Sequence, residues 1–290
     1  MEIISTLING LSIGGIYAII ALGYTMVYGI AKMLNFAHGD IIMVGGYTIY
    51  IFMLISGNPV IAILFAIIMC VLLGVLIEKI AYKPLRGSSP LAVLITAIGV
   101  SYLLQSLAQI IFGSAPKMVN IVELGSITFN GLIIQVSTLV TLISTILIMI
   151  ILTVFVKFTK IGRAMLATSE DKAATQLMGI SVNLVITVTF AIGSALAALA
   201  GLFYLLKAPS ISNTFGSMPG IKAFTAAVIG GIGSIPGAML GGFLLGIVEC
   251  ISYKIPVLAS YTDAIEFLLL IIILLVKPTG ILGKKRREKV

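Results

Sequence analysis

The chain has 290 residues, of which 60% are hydrophobic and only 10% charged, and its mean hydropathy is +1.22. A soluble domain of this length could not bury so much apolar surface, so these values exclude a soluble protein. The formal net charge of +8 does not indicate a nucleic-acid partner, because the basic residues gather in a few short loops between apolar runs.

Eight apolar runs follow one another along the chain. They cover residues 4–30, 41–55, 59–77, 91–112, 137–156, 184–206, 223–252 and 264–276. Most approach the roughly 20 residues that a helix needs to cross a bilayer, and they are continuous rather than alternating, which disfavours a β-barrel. The sequence therefore predicts an all-α integral membrane protein, a polytopic bundle of about eight spans in one transmembrane domain over residues 1–290.

The junction of the first two runs reads LNFAHGDIIMVGGY over residues 34–47 and holds the only histidine of the chain. We expect a non-helical elbow here, formed by Asn35, Phe36, Ala37 and Gly39. His38 and Asp40 are close enough in sequence to hydrogen-bond each other or to cap the next helix. Polar groups here could instead line the inner mouth of a pathway, or His38 could relay protons.

Basic residues mark one side of the membrane. Fourteen of the 18 fall on that side if the loops that carry them share it, namely Lys32, Lys79, Lys83, Arg86, Lys157, Lys160, Arg163, Lys172, Lys277, Lys284, Lys285, Arg286, Arg287 and Lys289. The positive-inside rule then makes these loops and the C-terminus cytoplasmic. The basic tail at 277–290 is expected to anchor the chain at anionic membrane lipid.

Four lysines remain for the other side: Lys117, Lys207, Lys222 and Lys254. These lysines lie on the side of the membrane where the positive-inside rule predicts few basic residues. One interpretation is that they are solvated or extend toward water along the membrane surface. The other is that they dock an acidic soluble partner by electrostatic complementarity.

Glycines recur at four-residue spacing in the seventh run, at Gly233, Gly237 and Gly241, and again at Gly242 and Gly246. Each set lies on one helix face, where small residues let membrane helices approach closely. Pro236 interrupts the same run. We therefore also expect short or discontinuous helices beside a pathway, since irregular backbone at membrane depth must face protein or water.

The longest polar segment, residues 157–182, predicts a short amphipathic helix at about 168–180. Thr168 or Ser169 would cap it, Glu170 and Asp171 would occupy its first turn, and Gly179 would end it. Its small apolar face consists of Ala173, Ala174, Leu177 and Met178. That face suits either the membrane surface or the groove of a cytoplasmic partner.

The sequence contains no GxxxxGK[ST] phosphate loop, no cluster of metal ligands and no nucleophile beside a base. We therefore expect a protein that is not an enzyme and binds no cofactor or metal. Glu78, Glu249 and Glu266 look isolated near the ends of runs, which disfavours a stand-alone secondary transporter or channel. A scaffold subunit without a pathway is the other alternative.

Three sequence blocks resemble one family. Gly162, Arg163 and Ala164, followed by Glu170, Asp171, Ala174, Gly179 and Ile180, are similar to the coupling loop of ABC-transporter permeases for branched-chain amino acids. The LNFAHG block and the glycine-rich stretch GGIGSIPGAMLGGFLLG at 230–246 resemble two further signatures of that family. The resemblance extends over the whole chain and is to the shorter of its two permease types.

The resemblance implies a bacterial cytoplasmic-membrane subunit that pairs with a second, related permease. Two cytoplasmic ATPases would bind the ATP, and an extracytoplasmic binding protein would deliver leucine, isoleucine or valine. The coupling residues would be Gly162, Arg163, Glu170, Asp171, Ala174, Gly179 and Ile180. Ala173 stands where the more general importer pattern has a glutamate. Related permeases import urea, short amides or other amino acids, so these substrates stay as alternatives.

Overall fold

The computed structural model describes residues 2–122, 125–129 and 132–283. Within that part of the chain there are twelve α-helices: α1 Glu2–Ala31, α2 His38–Ser56, α3 Pro59–Ile77, α4 Pro90–Phe112, α5 Val136–Phe158, α6 Lys160–Glu170, α7 Lys172–Leu177, α8 Val182–Lys207, α9 Ser217–Gly230, α10 Ile235–Lys254, α11 Pro256–Ala259 and α12 Thr262–Val276. A π-helical turn at Glu78–Tyr82 and a 3-10 turn at Lys83–Leu85 extend α3.

The described residues also form four short strands: β1 Lys117–Met118, β2 Ser126–Phe129, β3 Leu132–Gln135 and β4 Ser210–Ile211. β2 and β3 form an antiparallel hairpin, with Ser126 opposite Gln135. β1 pairs antiparallel with β4, with Lys117 opposite Ile211. The second pairing joins the segment after α4 to the segment after α8, so both lie at the same end of the bundle.

Among the described residues, seven helices are long and apolar enough to cross a membrane: Ile3–Ala31, His38–Ser56, Pro59–Leu85, Pro90–Phe112, Val136–Phe158, Val182–Lys207 and Ile235–Lys254. The polytopic all-α architecture is therefore confirmed. α12 has 15 residues, which is about 22 Å of helix against a hydrocarbon core of roughly 30 Å. The total of about eight crossings stays a prediction, because α12 is shorter than a full span.

Polar side chains define where several helices begin. Asn58, Ser89, Ser181 and Ser234 each accept a hydrogen bond from a backbone N–H in the first turn of the helix that follows. α2 ends at Gly57, whose φ of 62° is the left-handed conformation that glycine adopts without steric cost. These caps supply partners for N–H groups that a helix start leaves unbonded.

Close glycine contacts pack α10 against α1 and α9, as the spacing predicts. A Cβ on Gly242 would lie 2.6 Å from Ala18 Cα, and one on Gly246 would lie 2.4 Å from Gly14 Cα. On the α9 side, a Cβ on Gly241 would lie 2.0 Å from the Ala226 carbonyl oxygen. At such distances even alanine would force the backbones apart.

The seventh apolar run is broken into α9 and α10, which confirms the expected discontinuity. The break lies at residues 231–234, and Pro236 sits in the first turn of α10, where proline is tolerated. A Cβ on Gly237 would lie 2.4 Å from the Gly230 carbonyl oxygen across the break, so glycine allows this close approach. Gly233 has φ +96° and nothing within 4 Å of an added Cβ, so its predicted role in helix packing is wrong and it serves the turn instead.

Three of the basic loops meet at one end of the bundle. Lys172 Nζ donates to the Ala31 carbonyl at the end of α1 with an N···O distance of 2.8 Å, and Arg86 donates to Asn183 at the start of α8. The segment after α12 returns to the same end, where Ile281 N donates to the Ile229 carbonyl at 2.8 Å. The tail residues Lys284, Lys285, Arg286, Arg287 and Lys289 lie outside the described residues.

Candidate functional site

The elbow predicted between the first two spans exists, and it covers residues 32–37. Two contacts hold it in the core. The Tyr82 hydroxyl donates to Asn35 Oδ1 at 2.9 Å, and the Phe36 ring lies 5.4 Å from the Phe224 ring of α9. Gly39 does not belong to the elbow, because α2 already begins at His38.

The elbow returns into the bundle, so α2 begins well inside it. A Cβ added to Gly23 would lie 2.5 Å from His38 Nε2, and Gly23 precedes the end of α1 by eight residues. Eight residues of helix correspond to about 12 Å. The irregular backbone of the elbow is therefore covered by protein, which is what the absence of water at that depth requires.

His38 and Asp40 do not interact in the way the sequence suggests. α2 has no side-chain cap, and within the described residues His38 Nε2 is buried without a hydrogen-bond partner. The imidazole packs against the Tyr24 ring, with centroids 4.7 Å apart. Asp40 instead accepts a hydrogen bond from Gln105 Nε2 of α4 at 2.9 Å. The predicted capping and mutual hydrogen bond are wrong, because the first turn of α2 directs the two side chains to different neighbours.

The first turns of α2 and α9 meet beside Asp40. A Cβ on Gly216, which immediately precedes α9, would lie 1.7 Å from the Gly39 carbonyl oxygen. Gln105 also lies 3.4 Å from Ser217 Oγ at the start of α9. The N-termini of α2 and α9 carry partial positive charge, which favours anionic groups. The Asp40 carboxylate beside them can accept hydrogen bonds from a cation. The junction therefore presents a positive and a negative environment side by side inside the bundle.

A buried ion network joins α9, α10 and α12. Lys222 Nζ lies 3.0 Å from Glu249 Oε1, 2.9 Å from Asp263 Oδ1 and 3.3 Å from Glu266 Oε2. The interpretation of Lys222 as a surface lysine for docking is therefore wrong, because its side chain is only 6% exposed. The docking prediction for Lys117, Lys207 and Lys254 stays a prediction.

Glu78 is not isolated either. Its buried carboxylate pairs with Arg86 and accepts a hydrogen bond from Thr187 Oγ1 of α8 at 2.8 Å. Since Glu249 and Glu266 also pair with Lys222, the view that these three glutamates lack partners is wrong. The partner of Glu249 and Glu266 lies on a different helix, 27 and 44 residues away in sequence, a separation that no local pattern reveals. Arg86 lies only eight residues after Glu78, in the loop that follows the 3-10 turn.

The predicted coupling segment contains two helices, α6 and α7, rather than one. Thr168 and Ser169 do not cap, because their hydroxyls donate to the Ala164 and Leu166 carbonyls within α6. Asp171 is the cap instead, and its Oδ1 accepts from two backbone N–H groups at the start of α7, at 2.9 and 3.0 Å. Glu170 is the last residue of α6 rather than part of the first turn of the next helix.

The tip of α7 projects from the bundle. Leu177 is 90% exposed and Met178 is 81% exposed, and Gly179 ends this segment with φ +79° as predicted. Of the seven predicted coupling residues, five are exposed: Arg163, Glu170, Asp171, Ala174 and Gly179. Ile180 is half-buried and Gly162 is buried. A Cβ on Gly162 would lie 2.3 Å from the Phe155 carbonyl, so this glycine permits the tight corner between α5 and α6.

Sequence reasoning missed Gln105 and underestimated Lys222, Glu249 and Glu266. The signal was present, because ionisable and amide side chains inside apolar runs are costly unless they are paired or functional. Gln105 stands within a predominantly apolar helix, and Glu249 lies three residues after Gly246 of the packed glycine face. What the sequence lacks is the identity of the partners, which come from other helices.

Long apolar helices, a re-entrant elbow and a discontinuous pair, α9 and α10, define a polytopic membrane transport protein. The chain matches the family described as "Branched-chain amino acid transport system / permease component" over residues 6–274. It therefore belongs to that family of permease components, and the alternatives of a urea or amide permease and of a stand-alone transporter are not favoured.

The curated relatives agree over nearly their whole length. The chain is 43% identical to the "High-affinity branched-chain amino acid transport system permease protein BraD" of Pseudomonas aeruginosa, over 98% of this chain and 97% of the relative. It is 42% identical to the corresponding LivH protein of Escherichia coli K12, over 97% and 96%. A probable LivH of Methanocaldococcus jannaschii is 30% identical, over 91% and 88%.

Proposed function

We propose that this chain is one of two permease subunits through which an ATP-driven importer carries leucine, isoleucine and valine into the cell. A second, related permease would complete the pathway, two cytoplasmic ATPases would bind and hydrolyse ATP, and an extracytoplasmic binding protein would deliver the substrate. The observation that carries the proposal is the exposed tip of α7, because Leu177 and Met178 offer an apolar surface outside the bundle.

The proposed orientation places the α7 end of the bundle in the cytoplasm of a bacterial cell. Basic loops favour the cytoplasmic side, and Lys32, Arg86 and Lys172 lie together around one cavity at this end. α7 then faces the ATPases, and the β1–β4 and β2–β3 pairs face the binding protein. Residues 277–290 continue on the cytoplasmic side in this arrangement.

Motion of the ATPases would reach the spans through short connections from α7. Lys172 bonds the end of α1, which leads directly into the elbow, and Ile180 packs on the core just before α8. A displacement of α7 is thereby transmitted to the helix that precedes the elbow and to the start of α8. Since packed helices move as units, this geometry favours alternating access driven from the α7 end.

The pathway would pass the junction of α2 and α9. A zwitterionic amino acid needs an acceptor for its ammonium group and a positive environment for its carboxylate. Asp40 supplies the first and the two helix N-termini supply the second. Few other charges line this region, which suits release of the substrate rather than its retention.

The test is uptake of radiolabelled leucine into proteoliposomes that hold this chain, the second permease, the ATPases and the binding protein. Leu177→Ser with Met178→Ser should abolish uptake and ATPase stimulation, since both side chains are exposed and their loss removes an interface without disturbing the fold. Leu54→Ser with Ile55→Ser, at an adjacent apolar pair near the end of α2 that is 70% and 74% exposed, is the matched control and should transport normally. Full uptake by the double variant would refute the role of α7 in coupling.

A further inference from the structure

A cavity of about 330 Å³ lies at the α7 end of the bundle, between the end of α1, the loop before α4 and α7. Its polar and backbone lining comes from Tyr28, Ala31, Lys32, Arg86, Gly87, Ser88 and Lys172, and its apolar lining from Met33, Leu34, Leu85, Pro90, Val93 and Leu94. The cavity is separate from the junction of α2 and α9 and plays no part in the proposed pathway.

The charges around this cavity are strongly unbalanced. Its described lining contains three cationic side chains, those of Lys32, Arg86 and Lys172, and no aspartate or glutamate. The carboxylate of Glu78 balances only Arg86. Burial, and then the charge of Arg86, lower the pKa of Lys172 below its usual value. Like charges thus crowd the cavity, and an anion inside it would relieve their repulsion.

Hydrogen-bond donors remain available at the cavity wall. Arg86 Nε is buried and has no acceptor among the described residues. Lys172 Nζ uses one of its three donors on the Ala31 carbonyl. α4 begins at Pro90 in the same wall, and a helix start carries partial positive charge. All of these features favour one anionic group with several acceptor oxygens.

Lys32 adds an independent observation. It has φ 61° and is the only non-glycine residue with positive φ in the described part of the chain. That conformation is unfavourable for a side chain with a Cβ, and glycine is the usual residue after a helix end. Lys32 Nζ donates to the Gly29 carbonyl in the last turn of α1, so the side chain is held beside the cavity in spite of this backbone conformation.

We propose that the cavity binds a phosphate group, and specifically the phosphodiester headgroup of an anionic phospholipid from the leaflet that faces the α7 end. Guanidinium and ammonium groups at the ends of membrane helices are suited to such headgroups. Leu91 and Ile95, 63% and 60% exposed on α4 beside the cavity, would contact the acyl chains. The bound phosphate would bridge α7, the elbow and the loop before α4.

The binding test uses the assembled complex in detergent and native mass spectrometry. Phosphatidylglycerol should bind with at least about ten-fold higher affinity than phosphatidylcholine, whose choline brings a positive charge to the cavity. Lys172→Gln and Lys32→Gly should each reduce the affinity for phosphatidylglycerol by about ten-fold, as expected for loss of a charge-assisted hydrogen bond. Lys32→Gly keeps the backbone conformation that glycine favours, so its effect does not arise from backbone strain. Lys160→Gln, at an exposed lysine of α6 outside the cavity, is the control and should bind like the wild type.

Four results would overturn the proposal. Equal affinity for the two lipids would exclude headgroup charge as the determinant, and equal loss in the control would reduce the effect to general surface charge. Displacement of the lipid by millimolar inorganic phosphate or glycerol 1-phosphate would assign the cavity to a soluble phosphate. Loss of the ATPases from the Lys172→Gln complex with unchanged lipid affinity would assign it to subunit contact. Leucine uptake tests the proposed function separately, because it can succeed while lipid selectivity fails.

Discussion

Lys222→Met tests whether the buried ion network stabilises the bundle. The substitution keeps a long side chain but removes the cation that, among the described residues, pairs with Glu249, Asp263 and Glu266. Lys222 lies on α9, and its three partners lie on α10 and α12, so the network joins three helices of which α9 and α12 are too short to span a bilayer alone. Its loss should therefore weaken the packing of these short helices most.

The exposure of each partner determines the size of the effect. Asp263 is 50% exposed, so its pair with Lys222 contributes at most about 1 kcal/mol. Glu249 and Glu266 have side chains 8% and 0% exposed, and removing one partner of a buried pair costs about 3–5 kcal/mol. We expect the free energy of unfolding to fall by about that amount in total, because the two glutamates share a single cation.

The assay is unfolding of the purified chain in mixed micelles of increasing SDS content, followed by loss of helical circular dichroism. Asp263→Asn should change the free energy of unfolding by less than about 1 kcal/mol. Lys222→Met combined with Glu249→Gln and Glu266→Gln should recover most of the lost stability, since no buried charge is then left without a partner. Unfolding of Lys222→Met at the wild-type midpoint would show that the network does not stabilise the fold.

Three further substitutions test other parts of the structure. Gly216→Ala should prevent normal assembly of the bundle, since its Cβ would overlap a backbone carbonyl at 1.7 Å, whereas Gly99→Ala, with nothing within 4 Å, should express and unfold like the wild type. Tyr82→Phe should lower the unfolding free energy by about 1–3 kcal/mol, because Asn35 loses its buried donor; an unchanged SDS midpoint would argue against that bond. Asp171→Ala should remove the cap of α7 and cost about 0.5–2 kcal/mol of local stability. Faster amide exchange confined to α7 would show this, and unchanged exchange would contradict it.

Local chemistry explains why parts of the candidate site could be predicted. Gly179 ends its segment because glycine alone adopts the required backbone conformation without cost, and that preference is visible in sequence. The glycine face of α10 and the helix break near Pro236 could also be predicted, because glycine spacing and proline are visible in the local sequence. The sequence alone predicts Thr168 or Ser169 as the cap of α7, whereas Asp171 is the cap in the structure. Several adjacent residues of similar capping ability cannot be ranked without the path of the preceding helix.

Composition and apolar periodicity by themselves determined that this chain is a polytopic helical membrane protein, because a bilayer restricts what a chain with such long apolar runs can form. Three sequence blocks also indicated the family. Only the tertiary structure decided where the polar residues point: it placed Lys222 among three carboxylates, joined Asp40 to Gln105 and returned the elbow into the bundle. Those pairings depend on how distant helices pack, and packing is a property of the whole fold rather than of any segment.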